Sequence, residues 1–275
     1  MAAVDLDPPV RVLVADSTII DHAWDCPLRD PFWRVYLNDA TGAAVLHWRG
    51  RHRLAPGLLH LIPPWGDFHA SCTGSLRHWY VHADCGDWAD GCFPLPVAVP
   101  VTDRQRQVFR DLAGDQAWQP TGRLRLRALV LDALAEAVQQ LPVERLRRLQ
   151  VAGGDQVDRA RRFIAAHLSH ALSLGQIADQ AGVSASHLNH CFRRRLGRSV
   201  MRYVRERRVA AAAERLLCSD ADIETIAAEL GFANRFHFSR VFARVIGSGP
   251  AAYRSRELDA AKRRPVHRLV RSCFS

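Results

Sequence analysis

The chain has 275 residues, enough for two domains that each bury a core. No run approaches the ~18 uninterrupted apolar residues of a membrane span, and the opening MAAVDLDPPV lacks a basic stretch followed by an apolar one, so neither a membrane protein nor a secreted one is expected. The formal charge of +10 is unevenly spread: residues 1–100 hold 7 Arg and Lys against 11 Asp and Glu, 101–150 hold 9 against 6, and 151–275 hold 22 against 11, which places the whole basic surplus toward the C-terminus, as a phosphate-facing domain requires.

Residues 1–100 read as a β domain. Apolar runs at 10–14, 35–37, 43–48, 58–62 and 79–81 are broken by Gly, Pro, Asn and Asp, and Pro63-Pro64 with Gly66 marks a turn. Many short strands without helical periodicity suggest a barrel or sandwich. All seven tryptophans precede residue 119, and six histidines cluster here: His47, His52, His60, His69, His78 and His82. Aromatic rings at a barrel mouth can enclose a small molecule. His60, Trp65, His69, Trp79 and His82 are therefore the candidate effector-binding residues, with core and surface roles as the alternative. No metal and no cofactor is expected. A metal-binding barrel of this type carries His-x-His followed by Glu, and residues 31–100 contain no Glu. Seven cysteines, an odd number without a CxxC pair, predict reduced thiols and a cytoplasmic protein.

Helical periodicity begins after residue 100. A short helix is predicted over 103–112, a loop over 114–122 and a long helix over 123–141. In the long helix Leu124, Leu131, Leu134, Val138 and Leu141 form an apolar stripe that Leu126, Leu129 and Val130 widen. The stripe fits packing on the barrel and packing on a second copy equally well. Pro142 ends this helical segment (101–142), and 143–156, with Gly153-Gly154, reads as a linker.

From 155 onward the pattern is all helical. A first helix over 155–170 carries Phe163, Ile164 and Leu168. A pattern then occurs twice, as LGQIADQAGVSASHLNHCFRRRLGRSVMRYVR over 174–205 and IETIAAELGFANRFHFSRVFARVIGSGPAAYR over 223–254. Ile177-Ala178 falls on Ile226-Ala227 and Gly182 on Gly231. One residue of offset later, His187 falls on His237, Phe192 on Phe242, Gly197 on Gly247 and Tyr203 on Tyr253. Each copy reads as helix, turn, helix: Ser173 with Gln176 and then Ser184 supply caps in the first, Asp222 and Asn234 in the second. The inward set is Leu188, Phe192 and Leu196 in one copy, Phe238, Phe242 and Val245 in the other. Such a unit offers the outer face of its second helix to a major groove. The intervening stretch 199–217 is free of Pro and Gly, a helix of roughly 30 Å. Groove segments on one face of DNA recur every ~34 Å, so one chain could read two of them. Residues 257–275 form a basic tail.

The landmarks Gly-Phe, Phe-Ser-Arg-x-Phe, Gly-x-x-Pro and Tyr-Arg in 231–254, with GVSASHLNHCFRRRLGRS at 182–199, resemble the AraC/XylS family of bacterial transcription regulators. The segments 57–67 and 76–84 resemble, more weakly, the cupin-like effector barrel of that family. The resemblance implies an α+β protein: an N-terminal cupin-like β-barrel (1–100) plus helices, then an all-α DNA-binding domain over 157–256 with helix-turn-helix units at 174–195 and 223–246 joined by a long helix. It also implies double-stranded DNA and a small-molecule effector, a sugar among the candidates, as partners. A homodimer through a helix near 123–141, activation rather than repression, and RNA polymerase as a further partner are implied as well.

The outer faces of the two second helices supply the candidate DNA-binding residues: Ser186, Asn189, His190, Arg193 and Arg194 in the first, Asn234, Arg235, His237, Ser239 and Arg240 in the second. Asn can pair with adenine and Arg with guanine, while Arg193 and Arg194 suit phosphate. Phe236 departs from the polar residue usual in the family, which gives part of that contact an apolar character. Two other readings stay open. One is an enzyme, either a DNA-repair methyl acceptor, whose reactive and zinc-binding cysteines have no counterpart in these scattered ones, or a cupin-type metalloenzyme. The other is a constitutive DNA-binding dimer without an effector.

Overall fold

Alternation of side chains along the strands decides what the N-terminal half buries. The computed structural model describes residues 9–86, 92–111, 119–150 and 155–255. Most of the 114–122 loop, the Gly153-Gly154 pair and the basic tail lie outside the described residues. Nine strands precede the described helices: β1 (Arg11–Ile20), β2 (Cys26–Leu28), β3 (Trp33–Asn38), β4 (Ala43–His47), β5 (Gly50–Arg53), β6 (Leu58–Ile62), β7 (Phe68–Cys72), β8 (Leu76–Asp84) and β9 (Val97–Pro100). They form a five-stranded sheet in the order β1-β8-β3-β6-β9 and a four-stranded sheet in the order β2-β7-β4-β5. Neighbouring strands in both sheets run antiparallel among the described residues. Ile20, Tyr36, Val45, Ile62, Phe68, Ala70, Leu76 and Tyr80, drawn from both sheets, form one buried cluster.

β3 is buried at every residue because both of its faces are covered. One face turns into the barrel. The other lies with Leu61 and Val81, its ladder partners at Val35. Helix α1 (Asp103–Asp111) is followed by α2 (Pro120–Gln139), which packs against β9, β1, β6 and β8. α2 buries Leu126, Leu129, Val130, Ala133, Leu134 and Ala137. The expected stripe is thus divided. Leu134 faces the sheet, but Leu124 is 67% exposed and Leu131 and Val138 are half-buried. A helix apolar on more than one side gives no unique inward face in its sequence. The strands missed in the sequence, β2, β5, β7 and β9, are short, and β5 is a polar edge strand with no apolar run to betray it.

The helical half forms its own unit. The predicted linker carries a helix, α3 (Val143–Gln150), before residues 151–154. Then come α4 (Gln156–Ala166), α5 (Leu174–Ala181), α6 (Ala185–Leu196), α7 (Val200–Cys218), α8 (Ile223–Glu229) and α9 (Arg235–Ile246). α4 with α5 and α6 makes one module; α7 with α8 and α9 makes the second. Phe192 meets Tyr203 at 5.6 Å and Phe242 meets Tyr253 at 5.3 Å, both edge-on at 73°. In α9 the third inward residue is Ile246, not Val245, since a spacing of four keeps the row with Phe238 and Phe242.

Candidate nucleic-acid interface and barrel interior

Capping side chains set the start of each helix in the two modules. Ser173 and Gln176 form a reciprocal capping box on α5. Ser184 accepts from the His187 N–H, Asp222 from Thr225 and Asn234 from His237. The Thr225 N–H on Asp222 also holds that carboxyl below its usual range. The turn glycines Gly182 and Gly231 sit at φ 71° and 69°. At Gly231 a Cβ would lie 2.7 Å from the Ser169 carbonyl oxygen, so only glycine fits. Arg159 on α4 donates to the Ala181 carbonyl (2.6 Å). Arg208, at the matching place on α7, donates to Leu168, His170 and Gly231. The duplicated unit therefore begins one helix earlier than the sequence suggests, and the 49-residue offset of these two arginines was the available signal.

On α6 the buried row is Leu188, Phe192 and Leu196. Ser186, His190, Arg193 and Arg194 lie exposed on the far side, together with His187, which the sequence set omitted. Asn189 does not join them. It stands ~100° from Leu188, on the flank, and its Oδ1 accepts the Val200 N–H at 3.0 Å. That bond satisfies an amide at the start of α7, and through it Asn189 ties the reading helix to the long helix. On α9, Arg235, His237 and Arg240 are exposed with Phe236 and Arg244, whereas Ser239 is half-buried. Asn234 is exposed, but its Oδ1 is engaged by the His237 N–H at 2.8 Å. Among the described residues, Arg193, Arg194, Arg235, Arg240 and Arg244 make no ion pair with a carboxylate. This leaves two exposed helical faces with positive charge available to phosphate.

The five effector candidates do not come together. His60 and His82 are buried, on β6 and β8. His69, on the outer parity of β7, pairs with Asp25 at 2.5 Å. Trp79 lies on the opposite face of β8 from His78 and Tyr80 and carries the Arg77 guanidinium 5.9 Å from its ring. Trp65 occupies the turn at φ 64°. A period of two separates such residues however close they stand in sequence. Inside the barrel the geometry gathers a different set. His78 donates from Nδ1 to Asn38 Oδ1 (2.7 Å), and Asn38 Nδ2 donates to the Leu54 carbonyl. The His78 ring lies 4.5 Å from that of Tyr36, 5.1 Å from Trp24 and 5.8 Å from Tyr80. His60 Nε2 donates to the Ala55 carbonyl, so its Nδ1 accepts from His52 Nε2 (3.0 Å). Burial, and then the neighbouring His60, push His78 down to about 3. His52 falls to about 4, through burial and then His60 and His47. His60 is also lowered by burial. Among the described residues no group of three His, Cys, Asp or Glu is arranged to hold a metal ion, and no helix is long and apolar enough to cross a membrane. A separate cleft of about 540 Å³ lies between α1 and α2, floored by Gln105, Leu129 and Asp132.

A family model described as a helix-turn-helix domain matches residues 177–256. The arabinose operon regulatory protein of Escherichia coli K12 is 26% identical over 226 residues, covering 78% of this chain and 77% of that protein. The regulatory protein SoxS of Salmonella typhimurium is 33% identical over 94 residues, which are 34% of this chain and 88% of SoxS. Among solved structures, ToxT from Vibrio cholerae O395 matches with a TM-score of 0.62 at 11% identity, covering 88% of this chain and 96% of that one. ToxT from strain SCE256 with unsaturated fatty acid bound matches at 0.60 and 9% identity, covering 88% and 94%. At such identities the ToxT likeness establishes the fold, a sheet domain followed by a helical one.

Two outcomes follow from these contacts. Asn189→Ala should cost about 1 kcal/mol of stability by freeing the Val200 amide, and should weaken DNA binding equally for all sequences. Relaxed preference at one base pair in a binding-site selection would restore Asn189 as a reader. For the buried histidines, the unfolded chain takes up protons near pH 6.5 while folded His78 resists them to about pH 3. Stability should therefore be lost as pH falls from about 6.5 toward 3, by a few kcal/mol at the lower end. Tryptophan fluorescence during thermal unfolding reports this half of the chain alone, and His78→Gln should flatten the pH dependence.

Proposed function

The chain belongs to the AraC/XylS family of bacterial transcription regulators, and from that premise we propose that its two modules read neighbouring major-groove segments of one operator, under control of a small molecule held in the N-terminal barrel. The observation that carries this reading is the pair of capped, exposed, arginine-bearing helices joined by the 19-residue α7, a helix ~28 Å long against a groove repeat of ~34 Å. His190, Arg193, Arg194, His237 and Arg240 form the contact face with Ser186 and Arg235. Phosphate contacts fix position, and the base-facing side chains supply sequence preference.

For the effector, the barrel interior offers Asn38, His60, His78 and His82 beside the rings of Trp24, Tyr36 and Tyr80. Burying polar groups among aromatic rings suits a ligand with hydroxyls and a flat apolar face, which favours a sugar. Trp24 leaves the loop before β2 to rest on His78 and Tyr36, where it would yield to an entering ring. A sugar-operon regulator among the relatives agrees with this class, while the fatty acid held by ToxT makes a lipid carboxylate the competitor to test. Dimerisation through α2 is supported by Leu124, Leu131 and Val138, seven residues apart on its open side. Activation, with RNA polymerase as the further partner, completes the reading.

Selection of bound sites from random DNA at fixed salt should return two half-sites about 10 base pairs apart, and Arg235→Ala should cost about 1–3 kcal/mol at one of them. A single enriched half-site would remove the two-module reading. In a thermal-shift screen of sugars and fatty acids, a true effector at a hundredfold excess over its Kd should stabilise the native state by about 2.7 kcal/mol, and His78→Leu should abolish the shift. No response to any ligand would favour a constitutive binder. Leu131→Glu should turn a dimer into a monomer in analytical ultracentrifugation without lowering the melting temperature.

A further inference from the structure

The second reading helix exposes an aromatic ring where the first exposes a hydroxyl. Phe236 and Ser186 occupy the same place in the two copies, 50 residues apart. Phe236 lies on the side of α9 away from the buried row Phe238, Phe242 and Ile246, and it is 70% exposed. The Arg235 guanidinium lies 5.4 Å from the centroid of its ring. Its neighbours on that open face are His237, Arg240 and Arg244. The arginines there make no ion pair among the described residues. An apolar ring framed by arginines outside any ion pair among the described residues fits a surface that is anionic at its edges and apolar at one point.

The DNA major groove is such a surface. Phosphates line its rims, and the single apolar group on its floor is the C5 methyl of thymine. The polar side chain that would otherwise read this part of the half-site, Asn234, has its acceptor engaged by the His237 amide. We propose that Phe236 is a specificity-determining residue that packs on a thymine methyl in the half-site read by α9, while Arg235 and Arg240 hold the flanking phosphate or guanine. This rests on the two-module reading above and adds to it a chemical asymmetry: one half-site is read by polar groups, the other in part by a methyl contact.

The test uses the full chain. Once a site has been selected from random DNA, each thymine in it is replaced in turn by deoxyuridine, which keeps every hydrogen-bonding group and loses only the methyl. One replacement in the α9 half should weaken binding roughly fourfold, the worth of one buried methyl group. Phe236→Leu should keep that penalty and Phe236→Gln should erase it, with melting temperatures unchanged because the side chain is exposed. Deoxyuridine scanning that is silent throughout, or a penalty that persists in Phe236→Gln, overturns the proposal while leaving operator recognition intact. Failure to enrich any site would instead overturn the two-module reading on which it stands. A ring used against a protein partner would appear as silent scanning.

Discussion

Arg208 holds the junction between the two modules. From the middle of α7 its guanidinium donates to the carbonyls of Leu168 (2.9 Å), His170 (2.5 Å) and Gly231 (3.0 Å). The first two end the stretch after α4, and the third lies in the turn of the second module. A charged donor to a carbonyl is worth more than a neutral one. Desolvation lowers the pKa of this group. The close approach is possible only because position 231 has no side chain. Other ion pairs reinforce the same frame. Glu206, 6% exposed, accepts from Arg198 and Arg202, and Arg195 joins α6 to Asp155 and Asp158.

That frame explains which polar residues remain free for DNA. A helix end buried in a tight module must satisfy its amides locally, and short side chains such as Asn and Ser do so best. Asn189 and Asn234 are engaged in this way. In the second copy the residue aligned with Val200 is Pro250, which has no N–H to satisfy, and the residue aligned with Asn189 is Ser239. Arg193, Arg194, Arg235 and Arg240 take no part in these caps and stay exposed.

The barrel follows a different constraint. Its interior admits several polar side chains, which must be paired or neutral to be tolerated. His60 and His78 meet that condition by losing affinity for protons, and Asn38 by bonding both His78 and Leu54. The outer face of the five-stranded sheet is closed by α2, which leaves the opposite side of that helix as the available apolar surface. An acidic first hundred residues and a basic final stretch set the two halves apart by charge as well as by fold.

Local chemistry made the helical half readable in advance. Caps, turn glycines and rows of Phe and Leu act within a few residues, and they recur, so each copy checks the other. The two-copy organisation of the helical half and the family follow from that duplication. The strands of the barrel were only partly legible, because β2, β5, β7 and β9 are short or polar and are held by their neighbours, not by their own composition. Only the tertiary structure decided which of two plausible faces a residue takes. It sent Asn189 to an amide eleven residues away, placed His60 and His82 inside the barrel with His78 while His69 and Trp79 took the outer parity, and turned Leu134 to the sheet but Leu124 to solvent. Such choices rest on contacts between segments distant in sequence, and no local pattern encodes them.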